Sequence, residues 1–241
     1  MMGAALLSAR ACMRSGVGLL TVRVPLCGYT ILQLGLPEAK CDCDPDESVH
    51  SRIVVPAGTD AVGIGPGLGQ APATHTALDT LLDTWRGPLV VDADALNILA
   101  VHPDWLSRLP QGTVLTPHPG EMQRLGGDAA ELSDRYGLVV VLKGHETCIH
   151  TPGGPTYINR LHGNAGMAVG GSGDVLTGII LSLLAQHYSP AQAAALGVWL
   201  HALAGDLALQ SQSQESLLPS DLTDRLGQAF RRSRSSAEGT E

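Results

Sequence analysis

Apolar segments alternate with amphipathic helical patterns along this chain, and the alternation restricts its fold more than any single motif. Four of the apolar segments end directly in a polar or glycine-rich group, at residues 65–69 (GPGLG), 92–97 (DADALN), 116–121 (TPHPGE) and 143–147 (KGHET). This order predicts an α/β fold in which a mainly parallel sheet is flanked by helices on both faces. Because such sheets bind ligands beyond the carboxyl ends of their strands, the four groups should line one rim.

A fifth stretch, residues 164–178, is rich in glycine and leads into an apolar helical segment. Gly171 and Gly173 free the backbone to turn tightly, and Asp174 follows where the helix should begin. Unpaired amides and the positive end of the helix dipole would then meet beside a carboxylate, which favours a phosphate site. An ordinary helix cap formed by Ser172 or Asp174 uses the same residue types and remains an alternative.

Composition limits the domain count and the classes of partner. With 241 residues, 44% of them hydrophobic, the chain can bury one large core, and we expect a single domain over residues 1–230 and a disordered polar tail over residues 231–241. The net charge of −8 argues against a nucleic-acid or anionic membrane partner. Five cysteines without a CxxC pair indicate no disulfide framework, so a cytoplasmic protein with reduced thiols is expected.

The N-terminal part of the sequence is unusual for a parallel α/β protein. A helix is expected over residues 3–14 and a strand over residues 19–24, whereas such proteins normally begin with a strand. We therefore expect the first βα unit to be missing. A short helix should follow at residues 29–36, and residues 37–51, which include a Cys-Asp-Cys-Asp run, should form an irregular acidic loop. The N-terminus lacks the features of a signal peptide.

The remaining elements follow from hydrophobic periodicity. Strands are expected at residues 61–64, 89–91, 114–115 and 138–142, a hairpin at residues 147–150 and 156–158, and helices at residues 72–85, after the DADALN and TPHPGE groups, and from Asp174, Pro190 and Pro219. The most apolar long region, residues 191–209, contains His201 and Asp206. It is interpreted as a buried helix, and no membrane span is expected.

The common nucleotide-binding fingerprints do not occur in the sequence. No GxGxxG motif is present, and a Walker loop needs Gly-Lys followed by Ser or Thr, which neither Lys40 nor Lys143 provides. What remains is a helix start with a carboxylate, a strand-end lysine, an acidic strand end and a histidine turn. This set fits phosphoryl transfer, in which Mg²⁺ bridges the phosphates and Asp174 removes a proton from the attacking hydroxyl.

The supporting residues of this hypothesis each have a structural alternative. Lys143 can face a phosphate, or it can extend from its buried strand so that the ammonium reaches solvent. Asp92 and Asp94 can orient a metal ion or water, but Asp94 can equally cap the following helix. His118 lies between two prolines, and its alternative is a loop histidine bonded to the backbone.

Five motifs, in their order along the chain, resemble those of the ADP/ATP-dependent NAD(P)H-hydrate dehydratases, which have a ribokinase-like fold. They lie at residues 65–69, 91–97, 115–121, 142–147 and 164–178, and the resemblance extends from Gly3 to about Phe230. It implies repair of hydrated NADH or NADPH, whose new hydroxyl is phosphorylated by ADP, or by ATP, before phosphate is eliminated to restore the nicotinamide. It also implies Mg²⁺, a homo-oligomer that is often a tetramer, and functional pairing with an NAD(P)H-hydrate epimerase.

The resemblance also assigns residues. Contacts to the hydrate fall on Ala5, Gly67, His118 and Asp174. Contacts to the adenine nucleotide fall on Lys143, Gly144, His145, Glu146, Thr147 and Gly173. Supporting roles are expected for Asp92, Asp94, Asn97, Asn164 and Gly171, and no residue is predicted to bind a metal ion directly.

The chain departs from the family pattern in two places. The family has a strand and a glycine loop before the Gly3-Ala-Ala segment, and a longer helical stretch between residues 121 and 141. Two other functions remain open. One is a ribokinase-like kinase of the hydroxyethylthiazole or hydroxymethylpyrimidine type, which would share the glycine-rich Asp motif but not the TPHPGE and DADALN pair. The other is a truncated member that binds nucleotide without turnover.

Overall fold

A computed structural model describes residues 1–238 of the protein. The helices are α1 (Met2–Met13), α2 (Tyr29–Gly35), α3 (Pro72–Thr84), α4 (Ala93–Val101), α5 (Pro119–Arg124), α6 (Ala129–Tyr136), α7 (Ser172–Ala185), α8 (Pro190–Ala208) and α9 (Pro219–Glu238). The strands are β1 (Thr21–Val24), β2 (Lys40–Cys43), β3 (Val62–Ile64), β4 (Leu89–Val91), β5 (Val114–Leu115), β6 (Val139–Leu142), β7 (Thr147–His150) and β8 (Tyr157–Asn159).

The larger sheet has the strand order β3-β4-β5-β6-β7-β8. Strands β3 to β6 are parallel neighbours, and the predicted hairpin of β7 and β8 continues the sheet in antiparallel pairing. The prediction of a mainly parallel sheet is confirmed. Because β3, β4, β5 and β6 run in one direction, the segments that follow them lie at the same edge.

The central strands are buried on both faces. Val90 and Val114 pack into a core formed with α7 and α8, whereas Val91 and Leu115 pack into a second core formed with α3 and α4. All four side chains are at most 1% exposed. A strand covered by helices on both faces needs apolar residues in succession, which explains why these strands read as continuous apolar runs in the sequence.

Strands β1 and β2 form a separate parallel pair, which packs with α1 and α2 around Ala9, Val24 and Leu32. A cleft of about 810 Å³ is lined by residues of β1 and by residues of β3. Helix α1 connects the two sheets because it packs closely on α7, where a Cβ atom on Gly178 would meet the carbonyl oxygen of Ser8.

Two predictions of irregular structure are wrong. Residues 40–43 form β2, where pairing with β1 satisfies the backbone, and the sulfur atoms of Cys41 and Cys43 lie 3.8 Å apart on one face. Residues 231–238 belong to α9, whose buried Leu222, Leu226 and Ala229 recur at helical spacing. The rest of the predicted tail, residues 239–241, lies outside the described residues. Within residues 1–238, no helix is long and apolar enough to cross a membrane.

Candidate active site

The candidate site is built around the buried carboxylate of Asp92, which directly follows β4 and is 1% exposed. Its Oδ1 atom accepts a hydrogen bond from the ammonium of Lys143 at 2.7 Å, and its Oδ2 atom accepts one from the hydroxyl of Thr177 at 2.6 Å. Lys143 follows β6 and Thr177 lies in α7. Asp92 therefore ties two strand ends to the first turns of one helix.

Helix α7 begins without a side-chain cap. Its N-cap residue is Gly171, with φ at 99°, and within residues 1–238 no side chain accepts a hydrogen bond from the first amides of this helix. The alternative in which Ser172 or Asp174 caps α7 is therefore wrong. The ammonium of Lys143 lies beside Gly173, where a Cβ atom would be 3.0 Å from Nζ. Free amides, the positive helix end and a cation thus lie together, as an anion site requires.

Asp174 lies in the first turn of α7, close to several charges. Burial and, next, the negative charge of Asp92 raise the pKa of Asp174 to about 6, while Lys143 opposes the shift and Asp94 and Glu121 add to it. A carboxyl group with this pKa is mostly ionised at pH 7 and is still basic enough to accept a proton from a bound hydroxyl. Its environment is suited to a general base.

His118 caps α5, and its hydrogen bonds determine which ring nitrogen carries the proton. The Nδ1 atom accepts hydrogen bonds from the amides of Gly120 at 3.0 Å and Glu121 at 3.4 Å. When the ring is neutral, its proton is therefore on Nε2. The backbone-bonded alternative describes this histidine correctly, yet half of the side chain, 52%, remains exposed at the rim. The carboxylate of Glu121 accepts a hydrogen bond from the His118 amide and so completes a capping box.

Asp94 anchors the GPGLG loop. Its Oδ2 atom accepts a hydrogen bond from the amide of Gly69 at 2.8 Å, and its Oδ1 atom accepts one from the side chain of Gln70 at 3.2 Å. The alternative in which Asp94 caps α4 is wrong, because the N-cap residue is Asp92. Gly65 approaches the backbone of Asp92 so closely that a Cβ atom would clash with the carbonyl oxygen, so the loop needs glycine there.

Gly67 and Ala5 lie on the same side of the site, and both line the large cleft beside β1 and β3. The amino group of Met1 donates a hydrogen bond to the carbonyl oxygen of Gly67 at 2.8 Å. A Cβ atom on Gly67 would clash with the backbone of Met1. The structure therefore brings α1 against the loop after β3, as a shared contact surface would require.

The turn between β6 and β7 carries the other predicted nucleotide residues. Gly144 and Thr147 close the turn through a hydrogen bond of 3.3 Å, and Glu146 pairs with Arg160 at 3.1 Å. His145 is exposed at its tip. Lys143 is directed towards Asp92, whereas Gly144, His145 and Glu146 are exposed to solvent.

Two of the expected supporting residues have hydrogen-bond partners other than Asp92, Lys143 and Thr177. Asn164 donates a hydrogen bond to Asp206 of α8 at 3.3 Å, and its own oxygen accepts one from the Gly166 amide. It therefore holds the loop that leads to α7. Asn97 accepts a hydrogen bond from the guanidinium of Arg124 at 2.9 Å, which links α4 to the end of α5.

Sequence reasoning missed Thr177 and the role of His201. Thr177 lies one helical turn after Gly173 and Asp174, a spacing that places it on their side of α7 and that the sequence already contains. His201 lies 2.9 Å from the carbonyl oxygen of Ser172 through Nε2. Burial lowers the pKa of His201 to about 4, so the neutral ring donates this hydrogen bond. No sequence signal connects residues this distant along the chain.

Within the described residues, no three histidine, cysteine, aspartate or glutamate side chains are arranged to hold a metal ion. The carboxylates of Asp92, Asp94 and Asp174 nevertheless provide the oxygen donors that Mg²⁺ prefers. Mg²⁺ is usually held by one or two carboxylates, by waters and by substrate phosphates, so the residues present fit an ion that arrives with a nucleotide.

The family model for NAD(P)H-hydrate dehydratases matches residues 1–228, which include every residue of this site. The chain belongs to the NAD(P)H-hydrate dehydratase family. It is 40% identical over 249 residues to the bifunctional NAD(P)H-hydrate repair enzyme Nnr of Moorella thermoacetica, covering 95% of this chain and 47% of that protein. The chain spans about half the length of the bifunctional relatives it matches.

Shorter relatives and solved structures agree with the family assignment. The ADP-dependent (S)-NAD(P)H-hydrate dehydratase of Neisseria meningitidis is 41% identical over 191 residues, covering 73% of this chain and 62% of that protein. The ADP/ATP-dependent NAD(P)H-hydrate dehydratase of Bacillus subtilis, co-crystallised with ATP and Mg²⁺, superimposes with a TM-score of 0.82 at 34% identity. This match covers 96% of this chain and 85% of that structure.

The fold is ribokinase-like, as predicted. A hydroxyethylthiazole kinase from Pyrococcus horikoshii superimposes with a TM-score of 0.60 and covers 96% of this chain and 94% of that structure. Its identity of 17% shows a common fold and nothing more. The kinase alternative therefore gains no support from this likeness.

Proposed function

We propose that this protein is an ADP-dependent (S)-NAD(P)H-hydrate dehydratase, a nucleotide-dependent hydro-lyase. The observation that carries the proposal is the uncapped start of α7, where Gly173 and Asp174 lie beside the Lys143–Asp92 pair. This arrangement holds a phosphoryl group and a proton acceptor next to each other. Membership of the family adds the substrate class that geometry alone does not specify.

The reaction has two stages. Asp174 removes the proton from the hydrate hydroxyl, the hydroxyl oxygen attacks the β-phosphorus of ADP, and AMP leaves with the electrons of the broken P–O bond. Phosphate then departs with the electrons of the C–O bond while the neighbouring ring carbon loses a proton, which restores NADH or NADPH. Mg²⁺ supplies charge neutralisation of the phosphates when it is bound.

The remaining residues bind and orient. The amides at Gly173 and the ammonium of Lys143 hold the transferred phosphoryl group, and residues 144–147 contact the rest of the nucleotide. Ala5, Gly67 and His118 contact the hydrate, and the half-exposed ring of His118 donates its Nε2 proton to a substrate oxygen. Asp92 keeps Lys143 in place, since a buried carboxylate 2.7 Å away fixes the ammonium.

The test is a direct assay of the purified protein with hydrated NADH, Mg²⁺ and either ADP or ATP, followed by the absorbance of regenerated NADH. The expected result is regeneration with ADP and formation of AMP and phosphate. Asp174→Asn should abolish turnover and leave the dissociation constant for ADP within about twofold of the original. A folded protein that regenerates no NADH with either nucleotide would exclude this function and favour nucleotide binding without turnover.

We further propose the wider setting of this activity. Residues 1–230 form a single catalytic domain, which is cytoplasmic and assembles as a homo-oligomer such as a tetramer. It pairs functionally with an NAD(P)H-hydrate epimerase, since the bifunctional relatives are named as repair enzymes for the same hydrates. Light scattering of the purified protein tests the oligomer, and a monomer at micromolar concentration would contradict it.

A further inference from the structure

A second polar pocket lies next to the candidate active site, on the side of α4 and α5. Its volume is about 510 Å³, and it is lined by Gln70, Asn97, Ala100, Val101 and Arg124. Nothing in the phosphoryl-transfer arrangement uses this pocket. It is nevertheless connected to the rim, because Gln70 donates a hydrogen bond to Asp94, and Arg124 closes α5, whose cap is His118.

Arg124 is the cation of this pocket, and a hydrogen bond orients its exposed side chain. Its Nε atom donates a hydrogen bond to the Oδ1 atom of Asn97 at 2.9 Å. Within residues 1–238, no carboxylate lies within 4.0 Å of this guanidinium, so its charge is not neutralised by an ion pair. An arginine oriented by a neutral amide presents its terminal N–H groups to a ligand without losing charge to a neighbour.

Arg124 supplies the positive charge of this pocket, which suits an anion. The neighbouring rim carries the carboxylates of Asp92, Asp94, Glu121 and Asp174 against the ammonium of Lys143. Because these carboxylates repel anions, an anion in this pocket has to bind close to the guanidinium. The side-chain amides of Gln70 and Asn97 add donors beside the guanidinium, as phosphate recognition requires.

The position of the pocket distinguishes between the two substrates. Its lining residues belong to the chain segments that follow β3, β4 and β5, and the hydrate contacts Gly67 and His118 are expected in the segments that follow β3 and β5. The expected nucleotide contacts follow β6, at residues 143–147. A ligand that extends from His118 along α5 reaches Arg124 without crossing the nucleotide turn, since Gly120 lies next to both side chains.

We propose that Arg124, oriented by Asn97, binds a phosphate group of the hydrated dinucleotide and thereby makes this pocket part of the substrate site. The inference rests on the proposed function for the identity of the substrate. The phosphate can be the pyrophosphate, which hydrated NADH and hydrated NADPH share, or the 2′-phosphate of the NADPH form. Both groups present phosphate oxygens that a guanidinium contacts through paired N–H groups.

The experiment measures equilibrium binding of hydrated NADH and hydrated NADPH in the absence of ADP, so that no turnover is needed. Arg124→Gln should weaken binding about tenfold, in line with loss of a charge-assisted hydrogen bond. Equal weakening for both hydrates identifies the pyrophosphate, and weakening for hydrated NADPH alone identifies the 2′-phosphate. Arg124→Lys should recover part of the affinity, because it keeps the charge and loses the planar fork.

Arg135→Gln is the matched control, since this exposed arginine lies on α6 outside the pocket and should bind both hydrates as the original protein does. The ADP dissociation constant should be the same in all variants. Unchanged affinity of Arg124→Gln for both hydrates, or a change in ADP affinity instead, would overturn the proposal. Turnover of the original protein is measured in a separate assay. That assay tests the proposed function independently of the binding measurements on Arg124.

Discussion

Asp174, the proposed general base, is buried at a cost to stability. Its pKa is raised from the model-peptide range to about 6, so the folded protein holds the proton more tightly than the unfolded chain. Below the unfolded pKa both states are protonated and the group has no effect on stability. As the pH rises towards 6 the unfolded state loses its proton first, and the folded protein becomes relatively less stable.

Asp174→Asn should therefore stabilise the protein in a pH-dependent way. At pH 8 the variant should unfold at a higher urea concentration than the original protein, because the buried negative charge near Asp92 is gone. At pH 4 the two midpoints should approach each other, provided that both remain folded there. Urea titrations at the two pH values measure this, and a difference that does not change with pH would contradict the assigned environment.

The Lys143–Asp92 pair gives a second prediction at the residue scale. Lys143→Met should lower the free energy of unfolding by about 3 kcal/mol, because it leaves the carboxylate of Asp92 buried without its cation. Adding Asp92→Asn to this variant should recover part of the loss, since an amide carries no charge. A double-mutant cycle in urea measures the coupling, and strictly additive losses would mean that the two groups do not stabilise each other.

At the scale of elements, α7 depends on how closely α1 approaches it. Gly178→Ala should destabilise the protein by about 3 kcal/mol or more, since the new methyl group meets the carbonyl oxygen of Ser8 in α1. Gly227→Ala is the control on α9, where the position is exposed and nothing lies within 4 Å of the added atom. That variant should be neutral or slightly more stable, and equal losses for both would exclude the clash.

Element types were largely predictable from the sequence, because β4 and β5 lie between two cores and helices such as α3 carry a clear apolar stripe. Strand β2 was not predictable, since the acidic Cys-Asp-Cys-Asp run has no strand signal of its own. It pairs because β1 offers a parallel partner and Arg23 lies 3.4 Å from Asp44. The last part of α9, residues 231–238, was also not predicted as helix, because the polar composition of this segment obscures its helical pattern.

The candidate site was predictable where residues follow strands. Asp92, His118 and Lys143 meet at one edge because parallel strands bring their carboxyl ends together. What the sequence does not contain is which groups pair. That Lys143 contacts Asp92, that Asp94 holds the Gly69 amide and that His201 holds Ser172 all depend on distances across the fold.

At the scale of the whole molecule, we expect the fold to form without a metal ion. Within residues 1–238 no protein cluster is built to hold one, so a chelator should abolish the proposed turnover without lowering the thermal unfolding temperature. Added Mg²⁺ should restore activity fully. Activity assays and thermal scans with and without chelator measure both effects, and a drop in unfolding temperature would reveal a structural metal site.

The uneven burial of the site has a consequence for how a nucleotide is bound. Helix α7 is enclosed by α1, α8 and the sheet, so its amides and Asp174 are already in place before any ligand arrives. The exposed turn at residues 143–147 has few such constraints. Ordering that turn on nucleotide binding costs conformational entropy, whereas Asp174 is already ordered. Rigidifying the turn should thus tighten nucleotide binding, whereas we expect the rate of the proposed chemical step to stay unchanged because Asp174 is already held in place.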